Sequence, residues 1–190
     1  MKEVVRLLPV VCFLVSFTTA KAGEWKAASA KVVITPGQPM WLAGYGSRDR
    51  AAEGTLHDLW AKVLVLEDSL GTKGVLITAD IVGFPKATAD RIRKALSEQY
   101  GFSNARIILN SSHTHSGPVL KDELHYYPKP FDDGQLKRIE TYTYSLERKI
   151  VAAVAEAVKR LEPARIYASN GVARFQVNRR NNTEASLTPE

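Results

Sequence analysis

The chain has 190 residues, with 26 Lys and Arg against 20 Asp and Glu, and a formal charge of +6. That length suits one ordinary domain, and 45% apolar with 24% charged residues excludes wholesale disorder. A single cysteine excludes an internal disulfide and a cysteine-rich zinc fold, and basic residues scattered without aromatic partners argue against a nucleic-acid partner.

Residues 1–22 read as a secretory signal peptide. Lys2 and Arg6 precede an apolar run over 7–17, and Ala20 and Ala22 frame a small-residue exit. The run is too short for a bilayer, which needs ~20 apolar residues. Cys12 lies inside it, behind Val11, where a lipid-anchor site would want a small residue. Cleavage near Ala22 predicts a secreted or periplasmic protein of residues 23–190. It would be less basic than the precursor, because Lys2, Arg6 and Lys21 leave with only Glu3.

Residues 29–35 predict a strand closed by Pro36 and Gly37, and residues 40–54 an irregular loop. Residues 59–67 and 75–81 predict two strands joined by a turn over 68–74. The second is apolar almost throughout, as when both faces are covered. Pro85 opens and Gly101 closes a helix over 86–100, with Ala89, Ile92, Leu96 and Tyr100 on one stripe. Residues 106–110 predict another strand. The segment 75–110 is thus a β-α-β unit with parallel strands and a right-handed crossover. A long helix is predicted over 136–161, stopped by Pro163, then strands over 164–168 and 172–177. The fold class is α/β: a mixed sheet with a β-α-β unit and a long C-terminal helix. The polar ending after residue 177 leaves that sheet incomplete, so the chain is expected to be the front part of a longer polypeptide.

The most informative segment is 110–118, NSSHTHSGP, at the carboxyl end of the second parallel strand. Ligands of open α/β sheets bind at such ends. In extended backbone His113 and His115, two apart, face the same volume, and neutral imidazole is a common metal ligand. Gly117 and Pro118 are expected to turn the chain and lift the pair to the rim of the sheet. The alternative is that both are exposed loop histidines. Asp80 ends the neighbouring strand, either orienting an imidazole behind a metal or capping a turn. His57, before a strand, and His125, in a Pro-bearing loop, read as loop residues, with His125 as a candidate lid position. Asp122 and Glu123 are further carboxylates. A G-x-S-x-G elbow, a phosphate loop and a dinucleotide fingerprint are absent.

Six segments together resemble one family. They are 30–35 (AKVVIT), 42–45 (LAGY), Leu56-His57 leading into 60–64 (WAKVL), Thr78-Ala79-Asp80, 112–118 (SHTHSGP) and Val177-Asn178-Arg179. Over roughly residues 29–180 the chain resembles the N-terminal catalytic domain of the neutral/alkaline non-lysosomal ceramidases. The resemblance implies that 23–190 is part of such a domain, a zinc-dependent amidase cleaving the N-acyl linkage of ceramide. It implies His113 as a Zn2+ ligand, His115 facing substrate to stabilise a tetrahedral intermediate or move a proton, and Arg179 lining the same pocket beside Asn178. His57 matches a family histidine without an assigned role. The other implied ligands, a His, a Glu and a Tyr, would lie beyond Glu190. The expected partners are therefore the rest of the catalytic domain and a lipid or other amide substrate, with transient membrane-surface contact. Two alternatives stand: an exported metal-dependent hydrolase of another substrate, and a non-catalytic exported module binding lipid or carbohydrate.

Overall fold

The computed structural model describes residues 25–127 and 131–174. The expected leader, Asn178 and Arg179 lie outside the described residues. Five strands form one sheet: β1 (Trp25–Val33), β2 (Trp60–Glu67), β3 (Lys73–Ala79), β4 (Ile107–Ser111) and β5 (Glu162–Ala164), in the order β4-β3-β2-β1-β5. β1 pairs antiparallel with β2 and β5, and β2 with β3, whereas β3 and β4 are parallel. Among the described residues two α-helices, α1 (Lys86–Tyr100) and α2 (Asp133–Lys159), complete the fold with two short 3-10 helices.

Local chemistry explains most boundaries. Asp68 closes the β2–β3 hairpin, its Oδ1 accepting from the Leu70 and Thr72 amides, while Gly71 takes a φ of 77° that favours glycine. Pro85 precedes α1, and Gly101 ends it at φ 72°, donating its N–H to Ser97 O. α2 starts three residues earlier than its apolar stripe indicates. Asp132 caps it, accepting from Gln135 N while Gln135 Oε1 accepts from Asp132 N.

The helices cover one face of the sheet. Ala30, Val63, Val65, Val75, Ile77 and Ile107 pack in one cluster with Ile92 and Leu96 of α1 and with Leu146, Ile150 and Val154 of α2. β3 is not covered on both faces as its composition suggests. Leu64, Leu76 and Ile108 lie in register across β2, β3 and β4 and are 36%, 36% and 58% exposed. Strand alternation sends these residues away from the helices. The strand expected over 164–168 is instead β5, which contains Pro163. Proline is tolerated there because β5 is an edge strand. No strand forms over the described part of 172–177, which ends at residue 174.

One charged knot ties three elements. Arg91 of α1 donates to Glu147 of α2 and to Asp122 in the 3-10 helix Lys121–Tyr126, and Asp122 also accepts from Thr88. Burial pushes the Asp122 carboxyl up, but the bonds from Arg91 and Thr88 outweigh it and hold it below the usual carboxylate range. Arg91→Ala leaves two largely buried carboxylates without their cation. It should cost about 2 kcal/mol, discounted because a third of the arginine meets solvent. A carboxyl with a lowered folded pKa adds stability above its unfolded pKa and loses it as pH falls through the folded value. The wild-type advantage over Arg91→Ala should therefore shrink below about pH 4, as read from denaturant midpoints across pH.

Candidate active site

The site grows from the parallel pair. Thr78 and Ala79 of β3 stand beside Asn110 and Ser111 of β4, so residues 80–83 and 112–118 leave the sheet side by side. Ser112 N then donates to Ala79 O, and Ser111 Oγ donates to Val82 O. His113 departs from the expected extended backbone. Its φ is 55°, the left-handed region, which histidine enters more readily than most side chains. That turn sets its Nδ1 2.7 Å from Val82 O. A carbonyl only accepts, so Nδ1 carries the proton and Nε2 is left as a lone-pair donor. The His113 and His115 rings still meet, 5.1 Å apart edge to face.

The chain turns over residues 115–117; His113 is exposed and His115 half-buried past the end of β4, while Gly117 and Pro118 are buried. A Cβ on Gly117 would stand 3.0 Å from Asp80 O and 3.2 Å from Ile81 Cα. After the turn the chain runs under the loop that follows β1. Ala43 N donates to Gly117 O, Val119 N to Trp41 O, and Leu42 bridges Pro118. Met40, Ala43, Val119 and Ile139 bury a small second core beneath this junction. Arg48 Nη2 reaches His115 O at 2.5 Å.

His113 opens into a groove of about 1020 Å³. Its walls are residues 82–87, with Asp122, Glu123, His125 and Tyr127 opposite. His125 thus sits in a 3-10 helix on the wall of this groove rather than in a plain surface loop. Glu123 is 7% exposed, and its Oε1 accepts from Leu120 N. Burial pushes its carboxyl up against that bond. Burial likewise pushes the Tyr127 phenol up, while the bond from Gly44 opposes it.

The other sequence candidates fall elsewhere. His57 is exposed and lines a second groove of about 530 Å³ with Thr114, Ser116 and Pro118. The motif itself separates that groove from the one His113 lines. Asp80 Oδ2 accepts from Trp60 N at 2.9 Å, so the carboxylate is engaged in fastening β2 to the end of β3. Among the described residues, no three His, Cys, Asp or Glu side chains gather as metal ligands. His113, with its Nδ1 tied to a carbonyl, fits a single metal contact through Nε2, because ligating histidines commonly hold the other ring nitrogen this way. Among the described residues no helix is long and apolar enough to cross a membrane.

Sequence reasoning missed Gly44 and Tyr127 as neighbours of the motif; LAGY stood out only as part of a family likeness. Nothing in spacing brings position 44 to position 115.

Comparison with known proteins gives a consistent result. The sequence pattern described as "Neutral/alkaline non-lysosomal ceramidase, N-terminal" matches residues 32–184. Neutral ceramidase A of Dictyostelium discoideum is 26% identical over 153 residues, covering 73% of this chain and 19% of that protein. Neutral ceramidase B of the same organism is 24% identical over 141 residues, covering 68% and 18%. The crystal structure of neutral ceramidase from Pseudomonas aeruginosa superposes with a TM-score of 0.61 at 23% identity, covering 75% of this chain and 23% of that one. A second structure, a ceramidase complexed with C2, also gives 0.61, at 22% identity, covering 74% and 22%. The chain spans about a fifth of the length of the curated relatives it matches.

Two substitutions test these assignments in the full-length protein. Asp80→Ala strands the Trp60 amide and should cost about 1–3 kcal/mol in unfolding experiments without changing metal content. Glu123→Gln keeps an acceptor for Leu120 N and removes a buried charge. An acid with a raised folded pKa weakens the fold as pH rises past its unfolded value, so the variant should match or exceed wild type in thermal melts at pH 7.

Proposed function

This chain belongs to the neutral/alkaline non-lysosomal ceramidase family, and from that footing we propose that it contributes one wall of a zinc-dependent site hydrolysing the N-acyl amide of ceramide or a related N-acyl lipid. The observation that carries the reading is the His113 Nδ1 contact with Val82 O at the edge of the large groove. It fixes one tautomer and presents Nε2 as a ligand before any ion arrives. Preorganisation of this kind favours metal binding because the ring need not be ordered at that moment.

In this reading His113 holds the zinc together with ligands supplied beyond Glu190. Zinc, when bound, polarises an amide carbonyl and lowers the pKa of a water toward ~7. His115 stands a ring away and donates to the oxygen that gains charge as the amide carbon is attacked, or passes a proton to the leaving amine. One such donor is typically worth ~3 kcal/mol of barrier. Tyr127 keeps its proton at neutral pH, since burial raises its phenol, and so remains a donor on the wall. Asn178 and Arg179 are proposed to reach the same substrate. Phe84 and Tyr126 give the groove apolar side chains against which an acyl chain could lie. Export completes the reading: cleavage near Ala22 would deliver the mature polypeptide, from residue 23 onward, to the periplasm or the cell exterior, where lipid is met at a membrane surface.

His113→Ala in the full-length protein should release most of the zinc and lower N-acyl-lipid hydrolysis by at least about a hundredfold, as expected when a metal ligand is lost. Zinc is measured by elemental analysis and hydrolysis by release of free fatty acid. Unchanged zinc content would sink the ligand assignment. Faster turnover of soluble amides or esters than of N-acyl lipids would instead point to a hydrolase with another substrate. Ligand binding that survives chelation, without turnover, would point to a non-catalytic module.

A further inference from the structure

We propose that Gly44 is a positioning residue for His115, the seat on which its imidazole is held. Gly44 has a φ of 98°, a conformation that L side chains rarely adopt. A Cβ built there would collide with His115 Cγ and stand 2.6 Å from Cδ2 and 2.7 Å from Nδ1. No rotation of a flexible tip relieves this, because the obstructing atoms are the ring itself. The ring therefore occupies the space that the missing side chain leaves.

Three other contacts hold the seat in place. Gly44 N donates to Tyr127 Oη at 3.1 Å, the neighbouring Tyr45 ring packs edge-on against His115 with centroids 4.6 Å apart, and Arg48 Nη2 donates to His115 O. The ring also meets His113 edge to face. The imidazole is thus held by the loop after β1 and by its partner histidine.

The seat also selects a tautomer. His115 Nδ1 is buried and has no hydrogen-bond partner among the described residues. A proton on Nδ1 would be a buried N–H with no acceptor among the described residues, whereas a bare lone pair there leaves no donor stranded. The ring accordingly carries its proton on Nε2, which makes Nε2 the donor. The role of His115 in hydrolysis rests on the function proposed above; the seating of its ring does not.

The test uses Gly44→Ala, His115→Ala and the double variant, all in the full-length protein. Reaction of His115 with diethyl pyrocarbonate, mapped by mass spectrometry, reports the seat without reference to any substrate. Gly44→Ala should raise that rate at least about threefold and leave zinc content at the wild-type level. It should lower kcat by about ten- to a hundredfold with little change in KM, the scale of a misplaced catalytic group. In the His115→Ala background the same alanine should change kcat by less than about twofold, because the ring it displaces is gone. An equal loss in both backgrounds, or unchanged labelling of His115 in folded Gly44→Ala, overturns the proposal. If Gly44→Ala alone does not fold, a folded double variant supports the seat, and failure of both to fold overturns it. If labelling responds but no variant and no wild type hydrolyses N-acyl lipids, the seat stands and the functional reading falls.

Discussion

Parallel pairing of β3 with β4 is the constraint on which the site depends. It brings the carboxyl-terminal ends of two strands to the same edge of the sheet, and a helix must return between them. The placement of His113 depends on that adjacency. Val82 can reach His113 only because both segments leave the sheet at one edge, while the antiparallel β2–β3 pair, ending at the same place, lets Asp80 fasten Trp60. The left-handed backbone at His113 is held by these neighbours, as strained conformations at functional positions commonly are.

Around this junction two kinds of support are combined. Below it is a small apolar core of Met40, Ala43, Val119 and Ile139, which fixes the loop after β1 against the segment following the histidines. Beside it is the charged knot of Arg91, Asp122 and Glu147, which orients the 3-10 helix that forms the far wall of the groove. The first is non-directional and sets distance; the second is directional and sets angle. The wall with Glu123 and Tyr127 and the wall with His113 are thereby referenced to one frame.

The β-α-β unit was legible because Pro85 and Gly101 punctuate a clear helical stripe and the flanking strands are short and apolar. The start of α2 was obscured by the run Asp132, Asp133, Gly134, which reads as loop until the reciprocal bonds of Asp132 and Gln135 are seen. β5 was misplaced because Pro163 looks like a terminator, a rule that relaxes at a sheet edge. The apolar run of β3 suggested two covered faces, yet strand composition alone does not say how many layers a fold has. At the site, the spacing of His113 and His115 and the strand-end position were readable. The Val82 carbonyl and the Gly44 seat were not, because both are contacts between distant segments that no local period encodes. The family likeness carried by SHTHSGP was readable, and residues 32–184 match that family.

The outward row of Leu64, Leu76 and Ile108 has a bearing on handling the molecule. Branched aliphatics set one per strand across neighbouring strands form a strip, and among the described residues β4 beside it ends the sheet with backbone groups facing outward. Lateral sticking between copies is the natural behaviour of such a surface where the rest of the protein leaves it uncovered. Two features oppose it: Lys31 and Lys62, paired in register beside the strip, repel like surfaces, and the Arg93 guanidinium occupies the Ile107 carbonyl at 2.7 Å, dulling one end of the open edge. Colloidal behaviour of this polypeptide should therefore be governed by ionic strength, which screens the lysines while leaving the aliphatic strip untouched.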